Sequence, residues 1–223
     1  HRDRMVFVRV CSGKFKRDIK IHHPRSQQEI KLTTGHNVFG QKRENINAAY
    51  PGDILGFVTK KEFRVGDTVS VIPDISFDEF SRFAPEIFAF IHNLSLSKYK
   101  SFRKGVEHLL AEDLVQAFNL DDYMNPLPLL GAVGHLQFEV LQHRLKEEYK
   151  VETELKIMPW KCLRWIESPE GKDLKGALPY GAAMGVDTLG RRVALFESSW
   201  SADNFAGENK DIELLDSLKG VKS

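Results

Sequence analysis

The sequence predicts a small β-barrel followed by an α+β domain of βαββαβ order that carries a C-terminal extension. Three observations lead to this. Short apolar runs separated by turn residues fill the first 78 positions, as in a small all-β domain. Leu129 to Leu155 reads as strand, turn, helix and strand, because its apolar period passes from a continuous run to about 3.6 and then to 2. A strand, helix, strand passage between Ile87 and Phe118 precedes it.

Taken in order, Met5 to Val10 is the first strand, with Val6, Val8 and Val10 alternating with Phe7 and Arg9 before the turn Ser12-Gly13. Further strands are expected at Ile19–Ile21, Glu29–Leu32, Ile54–Val58 and Thr68–Ile72, set apart by Pro24, Gly35, Pro51-Gly52-Asp53 and Gly66-Asp67. Closure into a barrel would hide their edges. The domain boundary falls at residue 78, with residues 79–223 as the second domain. Phe77, Phe80 and Phe83 at this junction are expected to pack between the domains rather than to form a flexible linker.

In the second domain Ile87–Ile91 is a strand. Tyr99, Phe102, Val106, Leu109 and Leu110 form a helical stripe capped by Ser97, and Leu114–Phe118 is the next strand. Leu129–Val133 follows, with Gly131 and Gly134 shaping a turn into the helix marked by Phe138, Leu141, Leu145 and Tyr149, and the alternation Val151, Thr153, Leu155 ends the unit. This order closes as an antiparallel sheet with both helices on one face, the ferredoxin-like arrangement. In the tail, strands are expected at Trp160–Glu167 and Arg192–Glu197, a turn at Asp187-Thr188-Leu189-Gly190, a loop over Gly176–Gly185 and a short helix at Asp211–Leu218.

Composition narrows the function classes. The 223 residues are 42% hydrophobic and 28% charged, the balance of an ordinary globular chain. No apolar run approaches the roughly 20 residues that a membrane-spanning helix needs, so no membrane role is expected. Cys11 and Cys162 lie far apart without ligand spacing and read as idle or buried thiols. Net charge is +1, but residues 1–78 hold 14 Lys/Arg against 9 Asp/Glu, net +5, while the remainder holds 18 against 22, net −4. The basic first part suits a polyanion, and a plain solvated face explains it equally.

Signatures of catalysis are absent from the sequence. Neither Gly13-Lys14 nor Gly171-Lys172 has the earlier glycine of a phosphate loop, and Asn209-Lys210-Asp211 places its aspartate one residue too early for a guanine-reading element. His22, His23 and His36 lack an accompanying ligand set, and adjacent histidines on a strand face opposite ways. Hydrogen-bonded or exposed histidines are expected, and no GxSxG elbow occurs. On the second helix Leu136 and Val140 fall opposite the main apolar stripe. Either they pack locally near the helix start, or they dock on the barrel or on a partner.

The passages HRDRMVFVRVCSGKFKRD, AYPGDILGF and FRVGDTV resemble the second, β-barrel domain of translational GTPases, and APEIFAFIHNLSLSKYKSFRKGVEHLLAEDLVQAF with LLGAVGHLQFEVLQHRLKEEYKVETEL resembles the ferredoxin-like domain that follows it. Among these, FGQKRENINAAYPGDI and LLGAVGHLQF are most similar to the class II release factors, the bacterial peptide chain release factor 3 family. The likeness covers residues 1 to 157 well and the tail more loosely. It implies a non-catalytic C-terminal fragment of a cytoplasmic translation-termination GTPase, in keeping with an opening at His1 without an initiator Met. It further implies that GTP or GDP and Mg belong to an N-terminal GTPase domain outside this sequence, with no cofactor, metal or catalytic residue here. The implied partners are the ribosome, through rRNA and ribosomal protein, that GTPase domain and, indirectly, class I release factors, for a monomeric protein that promotes GTP-dependent departure of those factors.

Lys and Arg would meet rRNA phosphates. The ribosome-facing candidates are Arg2, Arg4, Lys14, Lys16, Arg17, Lys42, Arg43, Lys60 and Lys61, with Leu136 and Val140 as docking-helix candidates. Two alternatives fit the same features. One is domains II and III of an elongation-factor-G-like or ribosome-protection GTPase, and the other is a stand-alone RNA-binding barrel protein, although runs of aromatics interleaved with basic residues are missing from the sequence.

Overall fold

A computed structural model of the chain describes residues 4–39, 42–77, 82–122, 127–168, 174 and 177–218. It divides into two compact units, His1–Glu79 and Phe80–Ser223.

The first unit is all β. Its strands are β1 (Arg4–Arg9), β2 (Phe15–Lys16), β3 (Ile19–His23), β4 (Gln28–Leu32), β5 (Gly35–Phe39), β6 (Lys42–Ile46), β7 (Ala48–Ala49) and β8 (Ile54–Thr59). They form a four-stranded antiparallel sheet in the order β1-β8-β5-β6 and two ribbons, β2-β7 and β3-β4. All three ladders turn their apolar sides to one core of Phe15, Ile21, Ile30, Leu32, Ala49, Leu55 and Phe57, against which Val6, Val8 and Val10 pack. The barrel is therefore defined by a shared interior, and its ladders do not join into one closed ring among the described residues. Thr68–Ile72 shows why: in place of the expected strand it makes a single bridge, His22 opposite Ser70. The strands β5 and β6, which the apolar pattern does not reveal, hold polar residues such as Asn37, Glu44 and Asn45 between few apolar ones.

The second unit is built on one eight-stranded antiparallel sheet. After β9 (Arg82–Phe83) come β10 (Ile87–Asn93), α1 (Tyr99–Ala111), β11 (Gln116–Leu120), β12 (Leu129–Ala132), α2 (His135–Tyr149) and β13 (Thr153–Ile157). The order β13-β10-β12-β11, with every neighbouring pair antiparallel, is the expected ferredoxin-like half. Both helices cover one face, where Phe102, Val106, Leu109, Phe138, Leu141 and Leu145 meet Ala89, Ile91, Leu130 and Ala132.

The C-terminal extension is not an appendage, because four of its five described strands prolong this sheet. The five are β14 (Cys162–Glu167), β15 (Ala183–Asp187), β16 (Arg192–Phe196), β17 (Glu213–Leu215) and β18 (Ser217–Leu218), with α3 (Ser199–Glu208) between β16 and β17. Their order β15-β16-β14-β17 joins the first half through β11–β15 pairing, while β18 pairs with β9. Period-2 alternation then gives each half two buried faces. Phe88, Phe90, Phe118 and Leu129 from the first half share a core with Leu163, Trp165, Val193 and Leu195 from the second. Cys162, Ile166, Ala194 and Phe196 face the other way onto Ala202 and Phe205 of α3. Burial on both sides explains why these strands are nearly continuous apolar runs.

Several expectations are corrected. Residues 183–185 of the expected Gly176–Gly185 loop belong to β15, and the expected helix at Asp211–Leu218 is replaced by β17 and β18. Glu213, Leu214 and Leu215 pair with Glu167, Ile166 and Trp165, so sheet pairing prevails over helical propensity. Ser97 is no helix cap, since it lies inside the 3-10 turn Leu96–Lys98 and α1 begins after Lys98. The strand predicted at Leu114–Phe118 sits two residues later, at Gln116–Leu120. Phe77 and Phe83 are exposed and Phe80 lies outside the described residues, so the packing expected of these rings between the domains stays an expectation.

The glycines before α2 also act differently. Gly134 has an extended backbone, φ −148°, and the start of α2 is organised by Gln137. Its Oε1 accepts from the Val133 N–H at 2.7 Å and its Nε2 donates to the Leu114 carbonyl at 2.8 Å. Gly131 lies within β12, where a Cβ would come 2.7 Å from Pro85 Cγ and 2.9 Å from Phe118 Cε2. It is required by close packing rather than by a turn.

Candidate functional site

The basic candidates of the first unit separate into two groups. Gly13, at φ +73°, reverses the chain after β1. Phe15 then buries in the core while the flanking Lys14 and Lys16 face outward. The Arg17 N–H donates to the Asn47 carbonyl at 3.2 Å, and β2 pairs with β7 through Phe15–Ala49 and Lys16–Ala48. This pairing brings the 14–17 segment beside Tyr50, and Lys14 Nζ stands 4.6 Å from the centre of the Tyr50 ring.

Charge in this group is only partly compensated. Asp18 is 3.0 Å from Lys31 Nζ and 3.9 Å from Arg17 Nε, whereas Lys16 has no ion pair among the described residues. The antiparallel register, with His36 opposite Gly56 and Val38 opposite Arg43, carries the β5–β6 hairpin toward the Arg9–Ile54 end of the sheet. Lys42 and Arg43 therefore lie at the same end as the Lys14 group by backbone position. Their side chains, like the whole of Arg2, fall outside the described residues.

Arg4, Lys60 and Lys61 gather at the opposite end, because Arg4 pairs with Thr59 and Arg9 with Ile54. Five residue steps along β1 separate the two ends by roughly 17 Å. Lys61 is partly committed already, with its Nζ donating to Gln28 Oε1 at 2.6 Å. The eight candidates whose backbone is described therefore do not form one cluster, and more of them lie at the end that holds Lys14, Lys16 and Arg17.

A buried polar network fixes the loop beyond Lys61. His23 is 1% exposed, stacks on Phe63 at 4.7 Å, hydrogen-bonds Ser26 through Nδ1 at 2.7 Å and approaches Asp67 through Nε2 at 3.0 Å. Arg25 donates to both Asp67 oxygens, at 2.7 and 2.8 Å. Burial alone pushes the Asp67 carboxyl up, but the Arg25 guanidinium, the Arg64 N–H and neighbouring positive charge outweigh it and hold the group below its ordinary value. This network is structural. Among the described residues no three His, Cys, Asp or Glu side chains are placed to hold a metal ion.

On α2, Leu136 is 69% exposed and Val140 is half-buried, with Glu139 and His143 exposed around them. The second side of the helix is thus one bare leucine with a partly covered valine, not a continuous apolar face. Leu136→Ser is expected to change stability by less than about 0.5 kcal/mol, measured by denaturant unfolding, and a larger loss would show that Leu136 packs within the fold.

Sequence reasoning missed Arg9 and Tyr50. Both are exposed at the basic end, and Tyr50 is 36 positions from the lysine it meets, so only the Pro51-Gly52-Asp53 turn signal pointed to it.

Comparison with known proteins follows this division of the chain. Residues 77–206 match the family class II release factor RF3, C-terminal domain, and residues 1–72 match elongation factor G domain 2. Among curated proteins, the peptide chain release factor 3 of Gloeobacter violaceus is 41% identical over 96% of this chain and 40% of its own length. The proteins of the same description from Acaryochloris marina and Synechococcus elongatus are 39% and 40% identical, each over 96% of this chain and over 40% and 38% of their own lengths. The chain thus spans about 40% of the length of these relatives. A crystal structure of a Thermus thermophilus protein shares the fold, with a TM-score of 0.58 and 16% identity over 82% of this chain and 28% of that one.

Proposed function

Because this chain belongs to the class II release factor RF3 family, we propose that it is the ribosome-binding, non-catalytic C-terminal portion of a translation-termination GTPase. In that protein, GTP binding and hydrolysis in a separate domain drive the departure of class I release factors from the ribosome in the cytoplasm. GTP and Mg are assigned to that separate domain, since the sequence here has no phosphate loop. The role assigned to this part is mechanical. Stiff β scaffolds pass a nucleotide-driven change in a neighbouring domain to a large partner.

The observation that carries this proposal is the gathering of Lys14, Lys16 and Arg17 on the short β2–β7 ribbon, outward-facing and beside an exposed tyrosine. Such a group suits phosphate contact on rRNA. Replacing all three residues with glutamine is expected to weaken binding to 70S ribosomes and to lower the slope of log affinity against log salt by up to about 3, near one per lost phosphate contact. Unchanged affinity at both low and high salt would reject the assignment.

The extension favours a release factor over an elongation-factor-G-like protein. The strands β14 to β17 extend the ferredoxin-like sheet to eight strands, and β14, β15 and β16 lie within the release-factor family match.

A further inference from the structure

We propose that Tyr50 is a stacking platform for one unpaired RNA base, with Lys14, Lys16 and Arg17 holding the phosphates on either side of it. This rests on the ribosome-binding role proposed above and specifies how that surface would read RNA.

The turn that presents Tyr50 is rigid. Pro51 and Gly52, the latter at φ +99°, form its corner, where the Asp53 N–H donates to the Tyr50 carbonyl at 3.0 Å. The Tyr50 N–H donates to Asp53 Oδ2 at 2.7 Å. Two further bonds, from Val10 N–H to the Asp53 carbonyl at 2.9 Å and from Gly52 N–H to the Val10 carbonyl at 2.8 Å, fasten the turn to the chain just after β1. The backbone is thereby fixed while the ring remains 54% exposed.

An aromatic ring held in this way offers a π-face to any base at little further entropic cost. Lys14 Nζ lies over one face of the ring, so a base stacks on the other face or takes this one while the ammonium passes to a phosphate. The surroundings select a polyanion over a basic protein. Arg9, Lys16 and Arg17 are exposed nearby, the Asp53 carboxylate is engaged by the turn, and Asp18 is held by Lys31. Unpaired bases stacked on aromatic rings are the usual mode of single-stranded RNA recognition.

The test is binding of the 223-residue chain to 70S ribosomes over a salt series, using wild type, Tyr50→Phe, Tyr50→Leu and Lys14→Gln. Tyr50→Phe should bind like wild type. Tyr50→Leu should bind about tenfold more weakly with an unchanged salt slope, because a ring carries no charge. Lys14→Gln should lower the slope by about one. A photoreactive p-benzoylphenylalanine in place of Tyr50 should crosslink to rRNA. Binding indifferent to Tyr50→Leu, or a crosslink to ribosomal protein alone, overturns the platform and leaves ribosome binding standing. Failure of the wild-type chain to bind rejects the ribosome-binding role and the platform with it.

Discussion

Gly185→Ala is expected to destabilise the second unit by about 3 kcal/mol or more, at the upper end for overpacking. Gly185 sits on β15 opposite both Leu120 of β11 and Val193 of β16, at the join between the two halves of the eight-stranded sheet. A Cβ there would come 2.3 Å from the Asn119 carbonyl oxygen and 3.0 Å from Leu120 Cα. Both are backbone atoms in a paired strand, so neither can rotate away, and relief requires the halves to part. Trp160, Trp165 and Trp200 are the only tryptophans and all lie in this unit, so thermal unfolding followed by tryptophan fluorescence reports on it alone. The midpoint should fall by roughly 10 °C. Gly207→Ala is the control, because Gly207 lies in α3 with nothing within 4 Å of its would-be Cβ. A Gly185→Ala midpoint equal to that of the control would show that the join is soft.

Removal of the Asp187 carboxylate should cost nearly as much, about 3 kcal/mol for Asp187→Ala. Asp187 ends β15 and is 7% exposed. One oxygen accepts from the Leu189 and Arg191 N–H groups at 2.8 and 3.0 Å, and the other from Arg191 Nε at 2.7 Å and the buried Trp165 indole N–H at 3.2 Å. Burial pushes this carboxyl up, but the Arg191 guanidinium and the two backbone donors outweigh it and hold it below the ordinary value. A group lowered in the folded state contributes stability above its unfolded pKa, near 4, and that contribution is lost as pH falls from there through the folded value. Tryptophan-detected unfolding at pH 7 and at steps below pH 4 should therefore show wild type converging on Asp187→Asn in acid. A gap between them that stays constant with pH would mean that the carboxylate's charge contributes nothing.

Much of the fold was legible because burial imposes a period. In the ferredoxin-like half Phe138, Leu141 and Leu145 recur at helical spacing and all three are buried, and each expected element formed within about two residues of its predicted span. The misses in the C-terminal extension share one cause. β15, β17 and α3 have weak local patterns: α3 buries only Ala202 and Phe205, and β15 contains the glycine that looked like loop. They are ordered by partners distant in sequence, which a local window does not contain. The turn at Asp187 was visible as Asp-Thr-Leu-Gly, yet its bond to Trp165 was not.

The candidate site divides in the same way. Sequence alone supplied the excess of basic residues in the first domain, the missing phosphate loop, the Pro-Gly-Asp turn and the succession of a β domain and a βαββαβ domain, because composition, motif and periodicity are properties of neighbouring residues. Tertiary structure decided that the basic residues fall into two groups at opposite ends of β1–β8, that Tyr50 stands beside Lys14, and that the tail completes the central sheet. Those outcomes depend on strand register, and register is set by which side chains share a buried face across the whole sheet.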